Sequence, residues 1–122
     1  VKVLVTGSRK WTNCDLIRAE LKAWAAIDPQ LIVVHGACRG ADAIAGSIAK
    51  ELGLTVREYP GDWLRYGLAA GPIRNSELLK AEHTDCDVKI DLCLAFGDGP
   101  GTRDMTRKAF SKGIRIVEIH EV

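Results

Sequence analysis

Residues able to do chemistry gather in four short glycine-bearing stretches. Thr6-Gly7-Ser8-Arg9 sets a glycine, a hydroxyl and a guanidinium side by side, so backbone can approach an anion while Arg9 offers it a two-pronged fork. His35 to Asp42, HGACRGAD, carries Gly36 and Gly40; its amides from Ala37 to Ala41 are expected to form an anion-binding nest, with Arg39 beside them. Phe96 to Asp104, FGDGPGTRD, sets Gly97, Gly99, Pro100 and Gly101 ahead of Thr102. A glycine loop running into a helix start turns amides and the helix dipole toward a phosphate. Between these lie Asp62-Trp63, Tyr66 and the run Ala70 to Asn75, AGPIRN. They supply aromatic faces for a base, Arg74 to clamp a phosphate, and Asn75 next to it.

Each stretch also has a plainer structural role to fill. Thr102 reads as a helix cap, and Asp42 reads equally as an N-cap or as a group holding ligand hydroxyls. Trp63 reads as cover for the sheet edge or as a base contact, a role Trp11 shares. His35 reads as a core histidine, and Cys38 as a small filler, because no partner base is evident. Neither G-x-G-x-x-G nor a loop ending GK[ST] occurs, so a standard dinucleotide or triphosphate mode is not indicated. Asp85, Asp87 and Asp91 lack the glycine and distal glutamate of a calcium loop and read as solvated turn residues.

For the four stretches to meet, something must bring them to one place. Five apolar runs, Val3 to Thr6, Leu31 to His35, Thr55 to Tyr59, Asp91 to Phe96 and Ile114 to Ile119, are nearly continuous in Val, Ile and Leu, as strands covered on both faces are. Helical spacing separates them: Leu16, Ile17, Leu21 and Trp24, then Ile44, Ile48, Ala49 and Leu52 with Gly53 as terminator. Pro72 fits the first position of a helix through about Glu82, and a fourth helix runs from Thr102 to Gly113. The pattern predicts a single α/β domain over residues 1–122, a Rossmann-like three-layer fold. Its five-stranded parallel sheet has order 3-2-1-4-5 and helices on both faces. In such a sheet the loops leaving strand C-termini share one edge, and each chemistry-bearing stretch follows a strand.

Composition narrows the partners. Seventeen Lys and Arg against sixteen acidic residues leave a formal charge of +1, so no uniform field draws the molecule to nucleic acid or membrane, and an anion site must be local. Cys14, Cys38, Cys86 and Cys93 form no C-x-x-C pair, and His35, His83 and His120 have no ligand spacing. Free thiols in a cytoplasmic protein, with no metal and no cofactor, are expected. No apolar run is long enough to span a bilayer.

VTGSRKW, HGACRGADAIA, the PGDW to AGPIRN segment and FGDGPGTRDM, in this order, resemble the YspA-like, DUF2493-type members of the SLOG superfamily. These are small Rossmann-like proteins related to the LOG (Lonely Guy) phosphoribohydrolases and to the DNA-processing protein DprA. The resemblance implies binding of a nucleotide or nucleotide-derived, ADP-ribose-like ligand, as a sensor or binding module. LOG enzymes split nucleoside monophosphates with a P-G-G-x-G-T-x-x-E loop; Gly99, Gly101 and Thr102 match it, but the glutamate position is Met105. A thioether cannot stabilise an oxocarbenium-like centre as a carboxylate does, so a LOG-like hydrolase would need Asp42, Asp98 or Asp104 as its catalytic carboxylate. The DprA likeness of HGACRGADAIAG implies single-stranded DNA binding as a third role, and the LOG relatives imply a homodimer.

Overall fold

The computed structural model describes residues 1–84 and 88–121, so Asp85, Cys86 and Asp87 lie outside the described residues. Five parallel strands, β1 (Lys2–Gly7), β2 (Ile32–His35), β3 (Thr55–Glu58), β4 (Leu92–Phe96) and β5 (Arg115–Ile119), form one sheet in the order β3-β2-β1-β4-β5. Its helices are α1 (Cys14–Ile27), α2 (Ala41–Glu51), the short α3 (Trp63–Tyr66), α4 (Ala70–Glu82) and α5 (Pro100–Ser111); a 3-10 turn at Gly67–Ala69 joins α3 to α4. This is the Rossmann-like α/β arrangement expected from the sequence.

Strand alternation sorts the core into two layers. Val3 and Val5 of β1, Val33 of β2 and Leu94 and Phe96 of β4 face Ile17 and Leu21 of α1 and Ala45 and Ile48 of α2. The intervening Leu4, Val34 and Cys93 face Leu78 and Leu79 of α4 and Met105 and Ala109 of α5. Each central strand is therefore covered on both sides, which is why it reads as an unbroken apolar run. β1 is the pivot. Its Val3 to Val5 pair with Val33 to His35 on one side, and its Val3 to Gly7 pair with Leu92 to Phe96 on the other. The crossover direction thus reverses at β1, and its exit loop lies between those of β2 and β4.

Three local expectations are corrected. Thr102 is not a cap: the helix starts two residues earlier, with Gly99 at the N-cap and Pro100 in the first turn, where a missing N–H costs nothing. Pro72 is likewise the third residue of α4 rather than its first; its absent amide falls among first-turn amides that have no helical partner. Asp91 is more than a solvated turn residue, because its Oδ2 accepts from the Lys2 amide at 2.7 Å and ties the entry of β4 to β1.

Candidate functional site

The loops leaving β1, β2 and β4, together with α3, the following turn and the start of α4, enclose a cavity of about 820 Å³ at the C-terminal edge of the sheet. Close backbone packing draws the loops together. A Cβ on Gly7 would sit 2.4 Å from the Phe96 carbonyl oxygen and 2.6 Å from the Ala41 Cβ, so only glycine lets β1 exit between β4 and α2. Gly40 has φ +81, and a Cβ there would lie 2.3 Å from the Ser8 carbonyl oxygen. The β2 loop therefore rests on the β1 loop, and the Ala41 amide donates to that same Ser8 oxygen at 3.1 Å. On the other side the Ser8 amide donates to the Phe96 carbonyl at 2.9 Å.

Many of the residues singled out in the sequence line this cavity. The β1 loop contributes Gly7, Ser8 and Arg9, and the β2 loop contributes Gly36, Arg39 and Asp42. Trp63, Arg74 and Asn75 come from the third connection, and Asp98, Gly99, Gly101 and Thr102 from the fourth. Sequence reasoning missed Thr6, Lys10, Cys38 and Leu68 as lining residues. Lys10 and Cys38 adjoin residues that were chosen, so their place in the same loops was the available signal.

Other candidates stand elsewhere. Trp11 is a core residue, 6 % exposed, edge-on to Phe96 at 5.6 Å, with its indole N–H donating to the Asn13 carbonyl at 2.9 Å. It offers no face to a base. Gly97 and Gly40 shape the loops without bordering the cavity, and Ala37 is turned out to solvent.

The anion nest expected at Ala37 to Ala41 is largely spent on the protein itself. The Ala37 amide donates to His35 Nδ1 at 2.9 Å, Cys38 N to Asp42 Oδ2 at 3.3 Å, and Ala41 N to Ser8. Asp42 is neither an N-cap nor free. It is the second residue of α2, after Gly40 at the cap, and its Oδ2 also accepts from Gly36 N at 3.1 Å. It is 5 % exposed. Burial pushes its carboxyl up to about 6, against the Cys38 and Gly36 amides and the charges of Arg74 and Arg9, which favour the anion. Oδ1 takes no hydrogen bond from the described residues.

Arg74, expected to clamp a phosphate, lies under the β2 loop. Nη1 donates to the carbonyls of Gly36 and, at 3.4 Å, Tyr59; Nε donates to Asn75 Oδ1 at 2.8 Å, and Nη2 to Cys38 Sγ at 3.4 Å. Its fork is committed to shaping the wall. Asn75 Nδ2 in turn donates to Asp104 Oδ2 at 3.0 Å.

Asp104 faces away from the cavity, where Asn75, Arg107 and Lys108 contact its carboxylate. Burial acts to raise its pKa, but hydrogen bonds from Lys108, Asn75 and Arg107 outweigh it and hold the group below the usual carboxylate range. The next residue, Met105, turns into the cavity wall and is buried. Neighbours on a helix are about 100° apart, so Asp104 cannot take the place of Met105. Asp98 borders the cavity at the surface, its carboxylate accepting from Gly99 N at 2.8 Å and from Arg103 at 3.2 Å.

At the start of α5, the first helical bond runs from Arg103 N to the Gly99 carbonyl at 2.9 Å, which leaves the Gly101 and Thr102 amides ahead of it. Thr102 is 6 % exposed, lines the cavity, and its hydroxyl has no hydrogen-bond partner among the described residues. Across the mouth, Trp63 is 41 % exposed with the Arg9 guanidinium 5.0 Å from its ring centroid, a cation–π contact that orders both side chains. Among the described residues no group of three His, Cys, Asp or Glu side chains is placed to hold a metal ion. No helix among them is long and apolar enough to cross a membrane.

Comparison with known proteins follows the same lines. Residues 1–66 match the family described as YAcAr: YspA, cpYpsA-related SLOG family. The chain is 36 % identical over 124 residues to the Gene 61 protein of Mycobacterium phage D29, covering 95 % of this chain and 94 % of that protein. The X-ray structure of TM1055, Northeast Structural Genomics Consortium target VT76, superposes with a TM-score of 0.66 over 94 % of this chain and 71 % of that one. At 21 % sequence identity the last comparison shows a shared fold.

Proposed function

The chain belongs to the YspA, cpYpsA-related SLOG family, and from that premise we propose that its cavity binds a nucleotide or a nucleotide-derived, ADP-ribose-like ligand, as a sensor or binding module without turnover. One observation carries this reading. The Thr102 side chain is 6 % exposed and sits in the cavity wall beside the first-turn amides of α5, its hydroxyl open to the cavity and without a hydrogen-bond partner among the described residues. A phosphate oxygen at a helix N-terminus would accept from this hydroxyl together with the Gly101 and Thr102 amides. Gly7 and Ser8 close the same corner from β1. Met105, a thioether at the position where a phosphoribohydrolase loop carries its carboxylate, supports binding without turnover.

The test is incubation with nucleoside monophosphates and ADP-ribose, following thermal shift and base release in the same samples. A rise in Tm without release is the expected result. No shift across the panel overturns the reading.

A second reading, N-glycosidic hydrolysis, is favoured by Asp42 alone. A buried carboxyl raised to about 6, with one oxygen free of protein partners in a cavity wall, has the properties of a general acid or base. Base release that vanishes in Asp42→Asn and persists in Asp104→Asn would establish it.

A further inference from the structure

The cavity has a second charged region besides the start of α5. Arg9, Lys10 and Arg39 all border it, all are exposed, and none has a carboxylate within 4.0 Å among the described residues. Arg18, Arg103 and Arg107 by contrast meet Glu51, Asp98 and Asp104, while Arg65 and Arg115 are also exposed and unpaired among the described residues but do not border the cavity. The three rim cations stand on two loops that touch, since Gly40 packs on Ser8 and Arg9 and Ala41 N donates to Ser8 O. Arg9 is also held in place. Its Cζ lies over the Trp63 ring, 5.0 Å from the centroid, and its N–H groups donate to no acceptor among the described residues.

Sheet order sets how far apart the two regions lie. Exit loops follow the order β2, β1, β4, and neighbouring strands are about 5 Å apart, so the Arg9 loop is about one strand spacing from the start of α5 and Arg39 about two. One phosphate seated on the Gly101 and Thr102 amides lies nearest Arg9 and leaves Arg39, about two strand spacings away, facing open cavity. The start of α2 does not offer another place for it, because the Asp42 carboxylate and its bonds to Gly36 N and Cys38 N fill that corner.

We propose that Arg9, Lys10 and Arg39 form a second anion subsite, so that the preferred ligand carries a pyrophosphate: one phosphate at the start of α5, the next on this rim. The proposal rests on the nucleotide reading above and narrows it. A nucleoside diphosphate and a pyrophosphate-linked ADP-ribose share this chemistry. They differ in whether a second sugar extends beyond the rim.

Isothermal titration with AMP, ADP and ADP-ribose tests it. ADP and ADP-ribose are expected to bind about tenfold or more tighter than AMP, as charge-assisted contacts to a second phosphate require. The ADP-to-AMP ratio should collapse toward one in a Lys10→Gln, Arg39→Gln double variant, whose altered side chains are exposed and whose melting temperature reports folding. ADP tighter than ADP-ribose would assign the subsite to a terminal phosphate, and the reverse order to a bridging one. Equal affinity for AMP and ADP overturns the subsite while leaving the nucleotide reading intact; no binding by any of the three overturns both. Tighter retention of an oligothymidylate than of ADP would assign the rim to a polynucleotide backbone and also overturn the proposal.

Discussion

The Arg74 guanidinium lies against Gly36: Nη1 donates to the Gly36 carbonyl, and a Cβ at Gly36 would stand 2.5 Å from that nitrogen and 2.6 Å from Cζ. A helix on one face of the sheet thereby holds a loop that leads to a helix on the other face. Gly36→Ala must push a buried arginine off the two backbone carbonyls it serves. We expect a loss of about 1–3 kcal/mol in urea unfolding, the usual cost of overpacking. An unchanged midpoint would mean that the loop does not rest on Arg74.

Thr102→Val separates binding from folding. The replacement is close to isosteric and removes a hydroxyl without a protein partner, so unfolding stability should change by no more than about 0.5 kcal/mol. AMP affinity should fall about tenfold, the scale of one hydrogen bond to a charged group. Calorimetric titration beside a thermal melt reads both.

Asp42 gives the fold a distinctive pH response. Its folded pKa, about 6, lies above the ordinary 3.8, so between those values the native state holds a proton that the unfolded chain has released. The contribution of Asp42 to stability therefore declines as pH rises across that window. Asp42→Asn keeps an acceptor for Gly36 N and Cys38 N but cannot titrate. The stability of wild type minus variant should fall from pH 4 to pH 6 and level off above, measured by denaturant melts at each pH. His35 acts in the opposite direction, because burial lowers its pKa below 6.5, with Glu58 partly offsetting this. It is present in both proteins and drops out of the difference.

Glu82 anchors the opposite end of α4. It is 3 % exposed; Lys2 Nζ and Arg57 Nη1 each reach Oε1 at 2.8 Å, and the Tyr59 hydroxyl donates to Oε2. Glu82→Ala leaves Lys2, itself 8 % exposed, as a buried cation without its carboxylate. A loss of about 3–5 kcal/mol is expected. Because its hydrogen bonds from Lys2, Tyr59 and Arg57 outweigh burial and lower its pKa, the Glu82 contribution is present above pH 4.5 and lost as pH falls through the folded value.

What the sequence disclosed and what it withheld divide along physical lines. Strands covered on both faces declare themselves as apolar runs, and parallel order then dictates that TGSR, HGACRGAD and FGDGPGT share an edge, as they do. Side-chain commitments are another matter. Nothing local says that Trp11 packs on Phe96 or that Arg74 turns under Gly36, because each partner comes from a separate element, and the backward bonds of Asp42 to Gly36 and Cys38 depend on how their shared loop folds. Short α3 escaped notice because its four residues are all exposed and so carry no apolar stripe toward a core. Glu82 was readable in part: it falls one helical turn after Leu78 and so continues the buried face of α4.

The central claim is that a nucleotide phosphate seats on the start of α5 within this cavity, and amide-resolved NMR during titration with AMP tests it most directly. Saturable shifts of the Gly101 and Thr102 amides, with smaller shifts at Gly7 and Ser8 and saturation at about tenfold higher AMP in Thr102→Val, are the predicted result. Saturable AMP binding that leaves those amides unmoved, or no binding at all, would contradict it.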